Sequence, residues 1–258
     1  MAASPVAPWS DGSGDAAALS PAASRPAAAD FLASNRGGGL FSEAVNQRLG
    51  AYLALSAHRL GLAPTHLTLA SLLIGAGSSL GVTVLAPRAA AGDVPSWLVG
   101  LAALLAWHLA YSLDCADGQL ARVTGRASAA GARVDILCDV AVHICLVTAL
   151  AATAVAHAPD TPAWFVALFA GTWMVNLVTS VLAGGAAAGS LITSGSLPVR
   201  VLKLSRDFGA LLTAYALVIA IIPQWTVWAM AGSAGVNGAF LALSIGQAVR
   251  ASLRHSAP

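Results

Sequence analysis

The chain has 258 residues, 57% of them apolar and only 9% Asp, Glu, Lys or Arg, with a formal net charge of +2. Its mean hydropathy is +0.76. A soluble domain carries about 25% charged residues, so this composition excludes a soluble enzyme. The high apolar content equally excludes disorder over most of the length, and an all-α, polytopic membrane protein remains.

Taken in order, residues 1–36 are rich in Ala, Pro, Ser and Gly and show no periodicity. They read as a flexible tail. They lack the basic start and apolar core of a signal peptide. Over residues 37–63, Phe41, Val45, Leu49 and Leu53 recur every four residues with Tyr52 alongside, while Glu43, Asn46, Gln47 and Arg48 fill the other faces. This pattern predicts an amphipathic helix at the membrane surface.

A six-helix domain is expected over 64–250, with a C-terminal tail at 251–258. Its spans are read at roughly 66–87, 96–116, 133–157, 163–184, 207–222 and 225–248, each near the ~20 residues a bilayer requires. An even number of spans puts both termini on one side. Of the 13 Lys and Arg, only Arg88 falls on the other side. The positive-inside rule therefore predicts cytoplasmic termini in a multi-pass cell-membrane protein. Trp97, Trp164, Trp225 and Trp228 begin spans at the opposite interface and fit an aromatic belt, whereas Trp107 and Trp173 lie deeper, as packing residues.

Acidic groups within spans need a reason. Asp114 and Asp117 share one helix face at the cytoplasmic end of span two, and Asp135 and Asp139 share another in span three. The short connection between the spans predicts adjacent, antiparallel helices with the four carboxylates converging across one gap. Such a group requires protons or cations. Hard divalent cations suit oxygen ligands, and two of them about 3.5–4 Å apart suit phosphoryl chemistry. Gly118 and Gly131 permit close approach, and Arg122, one turn after Gly118, can clamp phosphate oxygens.

The segment Asp114-Cys-Ala-Asp117-Gly118-Gln-Leu-Ala121-Arg122, followed after eight residues by Gly131-x3-Asp135-x3-Asp139, resembles the signature of the CDP-alcohol phosphotransferases (CDP-alcohol phosphatidyltransferases), class I. Every fixed position matches. Pro64-Thr65-His66-Leu67-Thr68 resembles a second family segment, with Thr65 where Asn is usual. Pro and Thr beginning a helix explain that segment about as well.

The resemblance implies a transferase of phospholipid biosynthesis. It would move a substituted phosphate from a CDP-lipid such as CDP-diacylglycerol to a small polar alcohol and release CMP, with Mg2+ or Mn2+ as cofactor. It implies Asp114, Asp117, Asp135 and Asp139 as metal ligands and Asp139 as general base. Thr68, Gly118, Ala121, Arg122 and Gly131 would bind CDP and phosphate. It also implies a homodimer among membrane lipids. The small net charge gives no sign of a nucleic-acid partner.

Arg126, Arg133, Arg200, Lys203 and Arg206 are candidates for binding an acceptor phosphate, as of inositol phosphate or glycerol phosphate. Topology-setting charge explains them equally. His143, four residues after Asp139, reads either as a core histidine or as a group tuning that carboxylate, and His108 as a packed polar residue. Cys115, Cys138 and Cys145 are too few for a disulfide scaffold, and Cys115, Cys138 and His143 match no zinc spacing. An intramembrane prenyltransferase also uses aspartates and magnesium, but it leaves the Asp-Gly-x2-Ala-Arg core unexplained. A cation transporter leaves Gly118, Ala121, Arg122 and Gly131 unexplained.

Overall fold

A computed structural model describes residues 26–35, 39–183, 204 and 206–255. Two short helices, α1 (Ala28–Ala33) and α2 (Leu40–Ala44), precede α3 (Asn46–Arg59). The bundle proper contains α4 (Pro64–Ala90), α5 (Ser96–Val123), α6 (Ala129–His157), α7 (Ala163–Ala183), α8 (Phe208–Ile221) and α9 (Thr226–His255). No strand occurs among the described residues.

Four stretches are long and apolar enough to cross a membrane: α4, α5, α6 and Pro223–Arg250. Shorter apolar helical stretches, Ala163–Val175 and Phe208–Ile221, stand where the fourth and fifth spans were expected. The chain is a multi-pass membrane protein. Its outer surface carries large apolar side chains such as Leu73, Val84, Leu105 and Leu137, which a bilayer solvates and water does not. Trp97, Trp164, Trp225 and Trp228 are all exposed, whereas Trp107 and Trp173 are buried in the core.

The expected surface helix over 37–63 is divided. It breaks at Val45, between α2 and α3. The face of α3 that packs inward is polar and small (Asn46, Gln47, Gly50, Ala51, Ala54 and Ala57), while Leu49 and Tyr52 are 49% and 65% exposed. Small residues win the inner face because the approach to α5 is close. A Cβ on Gly50 would stand 3.0 Å from Cys115 Cβ and 3.1 Å from the Ser112 carbonyl oxygen. The larger apolar groups are left for lipid.

Two boundaries of the expected layout need correction. Residues 28–33, assigned to a flexible tail, form α1, and Phe31 is fully buried in a cluster with Ala51, Ala54, Leu113 and Leu120. Burying one such ring supplies about 2 kcal/mol, enough to fix a short segment whose flanks show no periodicity. At the other end, helix α9 runs on to His255, through the start of the expected tail.

The α5–α6 hairpin is corrected as well. These helices do not pack along each other; each packs extensively on α4. Gly75 of α4 packs closely against both. A Cβ there would lie 3.1 Å from Val142 of α6 and 3.3 Å from Ala110 of α5. The third helix thus spaces the pair and leaves a gap between their polar ends.

Candidate active site

The α5–α6 connection turns at Gly125, whose φ of +65° favours glycine. Ser128 then caps α6 by accepting a hydrogen bond from the Gly131 N–H at 3.0 Å. A Cβ on Gly131 would approach Ser128 Oγ at 3.2 Å, so glycine keeps this cap unobstructed. Asp135 lies one turn beyond Gly131 of this capped start and reaches the acids of α5.

Carboxylate oxygens of Asp114, Asp117 and Asp135 come within 4.8 Å of one another. Asp139 lines the same cavity as Asp114. Asp117 is buried, and the other three are partly buried. Acids this close and this poorly hydrated repel unless positive charge or protons intervene. All their donor atoms are hard oxygens, which fits a divalent cation such as Mg2+ or Mn2+ and not a thiolate-preferring metal.

Two motif residues have visible packing roles. The Arg122 guanidinium folds back over Gly118, where a Cβ would stand 2.9 Å from Nη1. Any larger residue at 118 would push the guanidinium aside. Arg122 Nε–H donates to the Ser34 carbonyl at 2.8 Å. The peptide just after α1 therefore holds the arginine, a contact that no periodicity within residues 1–36 announced. Thr68 is buried and its hydroxyl donates to Asp117 Oδ2, which fixes that carboxylate from α4.

A cavity of about 320 Å3 opens beside Asp114 and Asp139. Its wall includes Trp107, Tyr111, His143, Trp173, Arg206 and Phe208. The His143 ring nitrogen Nδ1 lies 2.7 Å from the Asp139 carbonyl oxygen, which requires a proton on that nitrogen. His108 bridges α3 and α8, with Nδ1 3.1 Å from Asn46 Nδ2 and Nε2 2.9 Å from Thr213 Oγ1. Of the expected acceptor-binding cations, Arg206 lines the cavity. Arg126 and Arg133 are exposed and line no part of it. Arg200 and Lys203 lie outside the described residues. The three cysteines are free thiols.

The CDP-alcohol phosphatidyltransferase family model matches residues 61–241, from the turn before α4 well into α9. The chain belongs to this family. The match takes in the whole Asp-rich segment and Thr68, together with the helices that bring them together. A search of curated proteins found no match. Membership of the phosphatidyltransferases gives the class of reaction, transfer from a CDP-alcohol donor to an alcohol acceptor. The aspartate cluster lies across the gap between the polar ends of two of the family domain's apolar helices.

The α1 contact gives a first prediction. Deleting residues 1–35 removes Phe31 and the Ser34 carbonyl to which Arg122 Nε–H donates. Transfer activity falls by roughly tenfold to a hundredfold, the usual scale for losing one positioning contact. Deleting residues 1–25 leaves the contact intact and the rate close to that of the full chain. Equal rates for the two truncated proteins, each purified in detergent, would dismiss α1 as part of the site.

Proposed function

We propose that the protein transfers the phosphatidyl group of a CDP-lipid, such as CDP-diacylglycerol, to an alcohol at the cytoplasmic membrane face and releases CMP. The observation that carries this reading is the convergence of Asp114, Asp117 and Asp135, with Asp114 and Asp139 lining one cavity. In this reading the fourth and fifth apolar helices complete six spans, and both termini face the cytoplasm.

Asp114, Asp117, Asp135 and Asp139 would hold two divalent cations. Bound there, the cations neutralise the donor's diphosphate, polarise the lipid-bearing phosphorus and stabilise departing CMP. Arg122 adds a fixed positive charge toward the phosphates. Thr68 orients Asp117, so its effect on nucleotide binding passes through that carboxylate. Gly118 and Ala121 leave room for the donor, and Gly131 sets the first turn of α6. Asp139 faces the cavity and takes the acceptor's hydroxyl proton as attack proceeds.

The test is CMP release by the purified full chain from CDP-diacylglycerol, with an acceptor panel and Mg2+. Excess chelator abolishes release, and added Mg2+ or Mn2+ restores it. Full activity in chelator would refute the metal-dependent reading. Turnover of a prenyl diphosphate in place of the CDP-lipid would refute the donor.

A further inference from the structure

The carboxylate cluster has two unlike sides. Asp117 is held by Thr68 on the α4 side, whereas Asp114 and Asp139 face the cavity. If the donor nucleotide occupies the first side, the cavity is left for the acceptor. Its volume, about 320 Å3, is at the small end for ligand pockets, which run from roughly 300 to 1,000 Å3. It suits a compact alcohol.

The wall is an arc of rings. Tyr111 meets Phe208 edge-on at 4.9 Å between centroids, Phe208 meets His143 at 4.8 Å, and His143 meets Trp173 at 6.4 Å. Some polar atoms on the wall already have partners. The Tyr111 hydroxyl donates to Ser42 Oγ at 3.1 Å. Trp107 Nε1–H donates to Ser79 Oγ at 3.0 Å, and His143 Nδ1 is engaged by the Asp139 carbonyl. Among the described residues Arg206 is the one Lys or Arg on the wall, and its guanidinium carbon sits 3.2 Å from the Phe240 ring centroid of α9.

The ring-lined wall suits a quaternary ammonium, which needs no hydrogen bonds and is attracted by aromatic faces.

We propose that the acceptor is an amino alcohol with a quaternary nitrogen. Its cationic head rests against Tyr111, His143, Trp173 and Phe208, and its hydroxyl points to Asp139. This rests on reading the aspartate cluster as the transfer centre. The hydroxyl oxygen bonds to the lipid-bearing phosphorus. The P–O bond of the anhydride breaks, and CMP leaves with the electron pair. The hydroxyl proton passes to Asp139 and then to water. The product is a zwitterionic phosphodiester lipid.

The experiment measures CMP release from CDP-dioleoylglycerol by the full chain with Mg2+. The acceptors are choline, its uncharged carbon isostere 3,3-dimethylbutan-1-ol, glycerol 3-phosphate and inositol 1-phosphate. Choline should exceed the isostere in kcat/KM by roughly tenfold, on the scale of a desolvated cation–aromatic contact, and should exceed both phosphates. Trp173→Leu should raise the choline KM by a similar factor, and Trp173→Phe, which keeps a ring, by less. Metal-dependent CMP binding, measured separately, reports the donor side in every variant. CMP binding without choline turnover, equal rates for choline and the isostere, or preference for a phosphate-bearing alcohol would each overturn the acceptor and leave the transfer reading standing. Absence of metal-dependent CMP binding would overturn the transfer reading, and the acceptor with it.

Discussion

Replacing Asp139 with asparagine lowers the turnover of CMP release by roughly 10²–10⁴-fold, the range for loss of a general base. The geometry gives the reason. Asp139 lines the cavity with Asp114, while Asp114, Asp117 and Asp135 form the compact group of ligand oxygens. Asparagine keeps the volume and can still offer an oxygen to a cation, but it cannot accept the acceptor's proton. The variant should therefore insert and fold, and should lose less metal-dependent CMP binding than a change within that compact group. Asp117→Asn should behave differently and lose metal-dependent CMP binding as well as turnover, because it removes a charged ligand oxygen. Near-normal turnover by the Asp139 variant would remove it from the base role. Loss of CMP binding equal to that of the Asp117 variant would reassign it as chiefly a metal ligand.

The Asp-rich segment was legible because its signal is local. Spacing along a helix dictates which face a residue shares, so Asp114 with Asp117 and Asp135 with Asp139 could be paired without coordinates. The apolar helices were legible for a similar reason, since composition and length decide whether a segment can span. Contacts made by small or isolated residues were not legible. Gly75 reads as one more glycine in an apolar helix, yet a Cβ there would crowd both Ala110 of α5 and Val142 of α6. Phe31 sits alone in an Ala-rich stretch, without the repeat that would mark a buried face, and its pocket is assembled from α3 and α5. The surface-helix reading failed in part because periodicity finds apolar faces. Here the inward face is polar and small, and the apolar one looks out. The acceptor cavity is equally nonlocal: its rings come from α5, α6, α7 and α8.

Asp207 is the largest omission from the sequence reading, and its replacement by alanine should cost more stability than any exposed acidic change. It is 3% exposed and caps two helices from different parts of the chain. At its own helix it accepts from the Gly209 N–H at 3.1 Å and the Ala210 N–H at 3.5 Å. At α2 it accepts from the Phe41 N–H at 2.7 Å, the Ser42 N–H at 3.1 Å and the Ser42 hydroxyl. Both N-termini present partial positive charge to the carboxylate. Crowding confirms how tightly the joint is built, since a Cβ on Gly209 would lie 2.7 Å from Asn46 Oδ1. Alanine would leave the buried N–H groups of two helix starts unpaired, each worth about 1 kcal/mol or more. A loss of about 3 kcal/mol is expected, read as earlier thermal unfolding of the detergent-solubilised protein. Asp207→Asn keeps an acceptor oxygen and should lose markedly less. The joint also has a consequence for the site. Asp207 stands between Arg206 and Phe208, both on the cavity wall, and Ser42 receives the Tyr111 hydroxyl. Loosening it should raise the acceptor KM while metal-dependent CMP binding, governed by the other side of the cluster, holds. Equal stability of the alanine and asparagine variants, with acceptor and CMP binding weakened alike, would reduce Asp207 to a general fold residue with no bearing on the cavity.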